Sequence, residues 1–204
     1  MKGKPAIELL TAAFTLGMLC AIPALARAES QSAAQEASKM VPAEASISKT
    51  LDITKDRVGD AITARLSDTV HLKNGPKLPS GTELIGKIAN DDMNVSGKSK
   101  FALNFTSAKL KDGQIVPIKA TIVGIFRPQS TSYMGEPVPA GTQVPNNWTD
   151  STLQVDQIGA LNGVDLHSKV SSENSGVLVS TKNNDMKLRP GTELALAIAE
   201  RTND

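Results

Sequence analysis

The sequence predicts an all-β protein, a small antiparallel β-barrel or sandwich with one short helix and a long loop insertion. Three observations predict it. Apolar and polar residues alternate at period two, Asn-Gly and Asp-Gly dipeptides fall between the alternating runs, and a proline followed by Gly-Thr recurs just before such runs. Alternation at period two puts every second side chain on one sheet face, the pattern of a half-buried strand.

In chain order, the first 28 of the 204 residues read as a cleavable signal peptide. Lys2 and Lys4 supply a basic start, residues 9–25 are almost entirely apolar or small, and Ala26-Arg27-Ala28 places small residues where a signal peptidase inspects them, so that the cleaved chain begins at Glu29. An uncleaved anchor would need about 20 predominantly apolar residues. This run is shorter and is broken by Gly17 and Pro23, so no membrane span is expected in the mature form. Residues 29–46, rich in Ala, Ser, Gln and Glu, read as a flexible linker with room for a short helix.

The barrel domain is expected over residues 47–204. Ile62, Ala64 and Leu66 alternate with Thr63 and Arg65, then Leu84, Gly86 and Ile88 with Glu83 and Lys87, then Phe101, Leu103 and Phe105 with Ala102 and Asn104. Residues 115–126 are apolar on both faces in their second half, which marks a central strand, and Leu194, Leu196 and Ile198 lie on a final one. Asn74-Gly75 and Asp112-Gly113 accept positive φ at little cost and are hairpin signals; the second is expected to fold residues 100–110 back on residues 114–126 as a long pair. Leu78-Pro79-Ser80-Gly81-Thr82-Glu83-Leu84, Val138-Pro139-Ala140-Gly141-Thr142-Gln143-Val144 and Arg189-Pro190-Gly191-Thr192-Glu193-Leu194 share one mechanism, with Val41-Pro42-Ala43 as a fainter echo. Proline fixes φ into a turn, glycine supplies the positive φ and β-branched threonine starts a strand.

The loop insertion, residues 127–150, holds the only Tyr and Trp of the chain, Tyr133 and Trp148, and is the contact loop the sequence nominates. Residues 151–160 can then form the short helix, with Asp150 as its N-cap.

Composition excludes several functions. Removing residues 1–28, whose Lys2, Lys4 and Arg27 outweigh Glu8 by +2, takes the formal charge from +1 to −1, and aromatic residues are 3% of the chain. There is neither a basic stripe for phosphates nor a stacking platform, so no nucleic-acid partner is expected. Cys20 is the only cysteine and leaves with the leader, so the exported domain must be held by its core alone.

No catalytic, cofactor-binding or metal residue is expected. His71 and His167 lack further His or Cys ligands, although Asp165 and His167 share a strand face. Gly97-Lys98-Ser99 resembles the end of a phosphate loop but precedes a strand pattern rather than a helix. Asp91-Asp92 sits in a Gly/Asn/Ser turn, where acids serve local hydrogen bonds, and no Gly-x-Ser-x-Gly elbow exists. A cleft joining either histidine to Asp91 or Asp92 would reopen the question of catalysis.

Arg57-Val58-Gly59-Asp60, the strand of residues 61–66, the Pro79 to Lys87 stretch, Leu110 to Ile115, Gly159 to His167 and Pro190 to Leu194 together resemble the C-terminal β-barrel domain of TrbI-type conjugation proteins, core subunits of type IV secretion channels. The resemblance runs over roughly residues 47–199, in the form of a stand-alone exported bacterial protein carrying the barrel alone. It implies a barrel that works by contact. The expected function is thus a non-catalytic exported envelope protein, periplasmic or secreted, acting through protein–protein contact or assembly with an envelope protein partner. The alternative is a secreted ligand-binding module for cell-wall or polysaccharide material.

Overall fold

The computed structural model describes residues 35–97, 99–127, 163–180 and 186–201. A helix α1 over residues 35–39 is followed by β1 (Val41–Ile47), β2 (Leu51–Asp52), β3 (Ala61–Leu66), β4 (Val70–His71), β5 (Lys77–Leu78), β6 (Glu83–Ala89), β7 (Ser99–Lys109), β8 (Ile115–Phe126), β9 (Val164–His167), β10 (Gly176–Ser180), β11 (Lys187–Leu188) and β12 (Glu193–Glu200). Six of these strands pair antiparallel in a closed cycle, β6-β3-β1-β12-β8-β7 and back to β6, so the all-β fold is a small barrel rather than a sandwich. Closure leaves the barrel no free edge. β10 and then β9 add to the outer side of β7.

The alternating residues point where the sequence places them. Ile62, Ala64, Leu66, Leu84, Ile88, Phe101, Leu103, Phe105, Leu194, Leu196 and Ile198 are buried in one core, joined by Ile118, Ile122 and Ile125 of β8. Two short ribbons feed the same core: Leu51 and Leu188 from the β2–β11 pair, and Val70 and Leu78 from the β4–β5 pair. Because β1 and β3 run antiparallel and each leads directly into one ribbon, the ribbons stopper opposite mouths of the barrel.

The two stoppers are related by an internal pseudo-two-fold axis through the Ser46–Arg65 pair of β1 and β3. The Ser48 N–H donates to the Thr63 carbonyl at 2.9 Å, and the Ser67 N–H donates to the Glu44 carbonyl at 2.9 Å, the same bond seen from either strand. On one side Gly191 donates to Ile47, which donates to the Thr192 carbonyl; on the other Gly81 donates to Leu66, which donates to the Thr82 carbonyl. Gly81 and Gly191 have φ of 82° and 81°, and Thr82 and Thr192 are both buried. Even the β-bulges correspond: Thr106 is the extra residue where β7 meets β6, and Val123 where β8 meets β12. The Pro/Gly-Thr signature is therefore a turn that leaves a stopper and starts a wall strand, twice.

The outer wall has two halves. Over β8 and β12, α1 and the chain after β9 cover an apolar strip in which Ala37, Met40, Val170, Ala197 and Ala199 are buried. Over β1, β3, β6 and β7 the wall is polar, and Ser46, Arg65, Glu83 and Lys109 line up across four strands.

Three expectations are corrected and one, a helix, falls outside the described residues. Order begins before residue 47: Val41-Pro42-Ala43 is no turn but the start of β1, whose Ala43, Ala45 and Ile47 alternate inward. The short helix found among the described residues lies at 35–39; the one expected over residues 151–160 falls outside them. Asn74-Gly75 does join β4 to β5, but neither residue has positive φ, whereas Gly113 does, at 90°. The long β7–β8 pair shortens to Ser107–Lys109 against Ile115–Pro117, because the Thr106 bulge bends β7 away and its outer side goes to β10.

Candidate functional site

The gap left where β7 and β8 part is filled by one residue. Ser175 accepts the Ile122 N–H of β8 at its carbonyl (2.7 Å), donates its own N–H to Leu103 of β7 (2.7 Å), and accepts the Phe105 N–H at its hydroxyl (2.9 Å). The Ser168 hydroxyl donates to the Ile122 carbonyl beside it. A Cβ at Gly176 would lie 3.1–3.2 Å from Ser168, Ile122 and Leu166, so a larger residue at the start of β10 needs these neighbours to give way.

Two loops meet outside this seam, the one after β6 and the one after β9. Asp91 shapes the first: its carboxylate accepts the Met93 and Val95 N–H groups at 2.9 and 2.8 Å and pairs with Lys100 at 2.7 Å. Burial pushes the Asp91 carboxyl up, but Lys100 and the two N–H groups outweigh it and hold the group below its ordinary value. Asp92 ties the loops together. It accepts the Ser172 hydroxyl at both oxygens (2.8 and 3.0 Å) and the Glu173 N–H (2.8 Å), while its own N–H donates to the Asn174 side chain (3.0 Å).

A cleft of about 540 Å³ opens between the loops, with Asp92, Met93 and Val95 on one side and His167, Lys169 and Ser171 on the other. The structure thus brings His167 and Asp92 to one cleft, the juxtaposition that would reopen catalysis. The carboxylate is already engaged, however, by two donors from its own fold, the Ser172 hydroxyl and the Glu173 N–H. Asp91 serves its loop, as its turn setting suggests, and His71 lies exposed on β4 beside Lys77 and apart from both acids. Gly97 packs against Val179 and runs into β7, so the phosphate-loop likeness ends in a strand; Lys98 lies outside the described residues. So do Tyr133 and Trp148.

Sequence reasoning missed Lys169, Ser171, Ser172 and Ser175. The available signal was Ser171-Ser172-Glu173-Asn174-Ser175-Gly176, a polar run directly before the apolar β10, which can be buried only if its hydroxyls and amide find partners.

Among the described residues no group of three or more His, Cys, Asp or Glu could hold a metal ion, and no helix is long and apolar enough to cross a membrane. No family model matches the chain, and no curated protein matches it. Among solved structures it is similar to ComB10 of the Com type IV secretion system of Helicobacter pylori, at 12% identity and a TM-score of 0.35, over 80% of this chain and 85% of that one.

Proposed function

We propose that this protein is an exported, non-catalytic envelope protein, periplasmic or secreted, acting through protein–protein contact or assembly. The observation that carries this reading is a barrel whose interior is packed with side chains and whose mouths are both stoppered, leaving outer walls and loops as its working surfaces. The bare polar wall bearing Arg65, Glu83 and Lys109 suits a hydrated contact rather than a permanent apolar one. The engagement of Asp92 by Ser172 and Glu173 supports a non-catalytic role, since a general base needs an open oxygen. The finer form of the reading, a stand-alone barrel of the TrbI type, rests on the motifs from Arg57 to Leu194.

The test begins with the full chain expressed in a bacterial host and fractionated. The expected product starts at Glu29 and sits in the periplasm or medium; a product retaining residues 1–28 in the membrane would overturn the export reading. A photo-cross-linker at Arg65 is then expected to capture a specific envelope protein, and a monomer that captures none would overturn the contact reading.

The second reading, a secreted ligand-binding module for cell-wall or polysaccharide material, is favoured by the cleft beside His167 and by the nomination of Tyr133 and Trp148. Trp148→Ala is expected to abolish glycan binding under that reading, and no binding by the parent chain across a broad glycan panel would remove it.

A further inference from the structure

We propose that the cleft between the Asp92–Val95 loop and the chain from His167 to Ser171 binds a small oxyanion, a carboxylate or phosphate group on a short apolar body. Asp92 accepts from Ser172 and Glu173, and the Ser168 and Ser172 hydroxyls donate to Ile122 and Asp92. Three other groups in the cleft have no such duty: the Lys169 ammonium, the His167 ring and the Ser171 hydroxyl make no hydrogen bond or ion pair among the described residues. All three can donate, and they stand on one side of the cleft.

Facing them are Met93 and Val95, which pack on Ala102, Val177 and Val179 and form an apolar wall. An oxyanion turned toward Lys169 would gain charge-assisted hydrogen bonds, which are about twice as strong as neutral ones, while its apolar body covered Met93. The acid in the cleft does not forbid this. Asp92 shares its charge with two donors, the Ser172 hydroxyl and the Glu173 N–H, which partly neutralise it. Asp165 shares the outward face of β9 with His167 but does not line the cleft.

The site stands independently of the contact role, and the two can fail separately. The chain from Glu29 is titrated with sodium phosphate, with sodium acetate and with a uronate oligosaccharide against sodium chloride at equal ionic strength, following backbone amide NMR shifts. Saturable shifts confined to Met93, Val95, His167, Lys169 and Ser171 are expected for at least one of these anions. Lys169→Met is expected to weaken that binding about tenfold or more, and Lys49→Met to leave it unchanged. Both side chains are exposed, so neither variant threatens the fold. A response to the oligosaccharide alone would identify an anionic polysaccharide as the source, and a response to phosphate or acetate a free anion. Shifts that do not saturate, or that survive Lys169→Met unchanged, would overturn the site.

Discussion

Ser175 offers a carbonyl, an N–H and a hydroxyl to the space between β7 and β8, and all three are used. The hydroxyl can be removed alone. Ser175→Ala leaves the buried Phe105 N–H without an acceptor, and an orphaned donor costs about 1–3 kcal/mol. The urea midpoint is expected to fall accordingly, with an unchanged slope; a midpoint equal to that of the parent chain would show that the gap closes without it. Asp52 makes a different residue-scale case. The Thr54 hydroxyl, set against desolvation and aided by Lys187 and the Thr54 N–H, holds its carboxyl at about 2 against an ordinary 3.8. A depressed folded-state value means that the protonated unfolded chain is favoured by acid, so this stabilisation is complete above pH 3.8 and fades as pH falls toward 2. Asp52→Asn is expected to lower the melting temperature at pH 7 and to flatten its decline between those two values. A decline as steep as in the parent chain would locate the acid sensitivity elsewhere.

At the scale of elements, the pseudo-two-fold makes Gly81 and Gly191 a matched pair. Each sits near +80° in φ between a stopper strand and a wall strand, where an added Cβ crowds the following carbonyl and costs about 1–2 kcal/mol. Nothing closer than the Lys111 side chain at 3.4 Å meets a Cβ at Gly81, so the backbone term dominates there. Gly81→Ala and Gly191→Ala are expected to destabilise alike, in additive fashion because the turns lie at opposite ends of the barrel. A double variant no worse than either single one would refute the equivalence. These turns were legible in sequence because proline, glycine and threonine each act locally. The wall strands β3, β6, β7, β8 and β12 were legible too, since one buried face forces an alternating pattern. β1 was not: its inward residues begin with Ala43 and Ala45, and alanine fits a pleated surface poorly enough to pass for linker. The two-residue stoppers are too short to show any period.

For the whole molecule, what stayed illegible is what depends on partners far along the chain. The short reach of the β7–β8 hairpin follows from Ser175, some 60 to 70 residues beyond it, and the engagement of Asp92 follows from Ser172, 80 residues away. No window of sequence contains both members of such a pair, so the cleft could be posed only as a condition. The same non-locality governs folding. β12 lies between β1 and β8, its interior residues are buried on both faces, and it is the last of the described strands in chain order. Until it arrives, β1 and β8 have no neighbour on that side and the cycle stays open. Long-range strand pairing is slow, on the order of milliseconds to seconds, because loop-closure entropy precedes its reward. A chain that lacks residues 193–200 cannot complete the cycle of wall strands. Truncation after Thr192 is therefore expected to abolish the cooperative unfolding transition seen by circular dichroism. Adding a peptide of residues 193–204 in trans should restore it, because β12 enters as one separate antiparallel strand with a register defined on both sides. A truncated chain that still unfolds cooperatively would mean that the other five wall strands form a core of their own, and that closure is not what holds this barrel together.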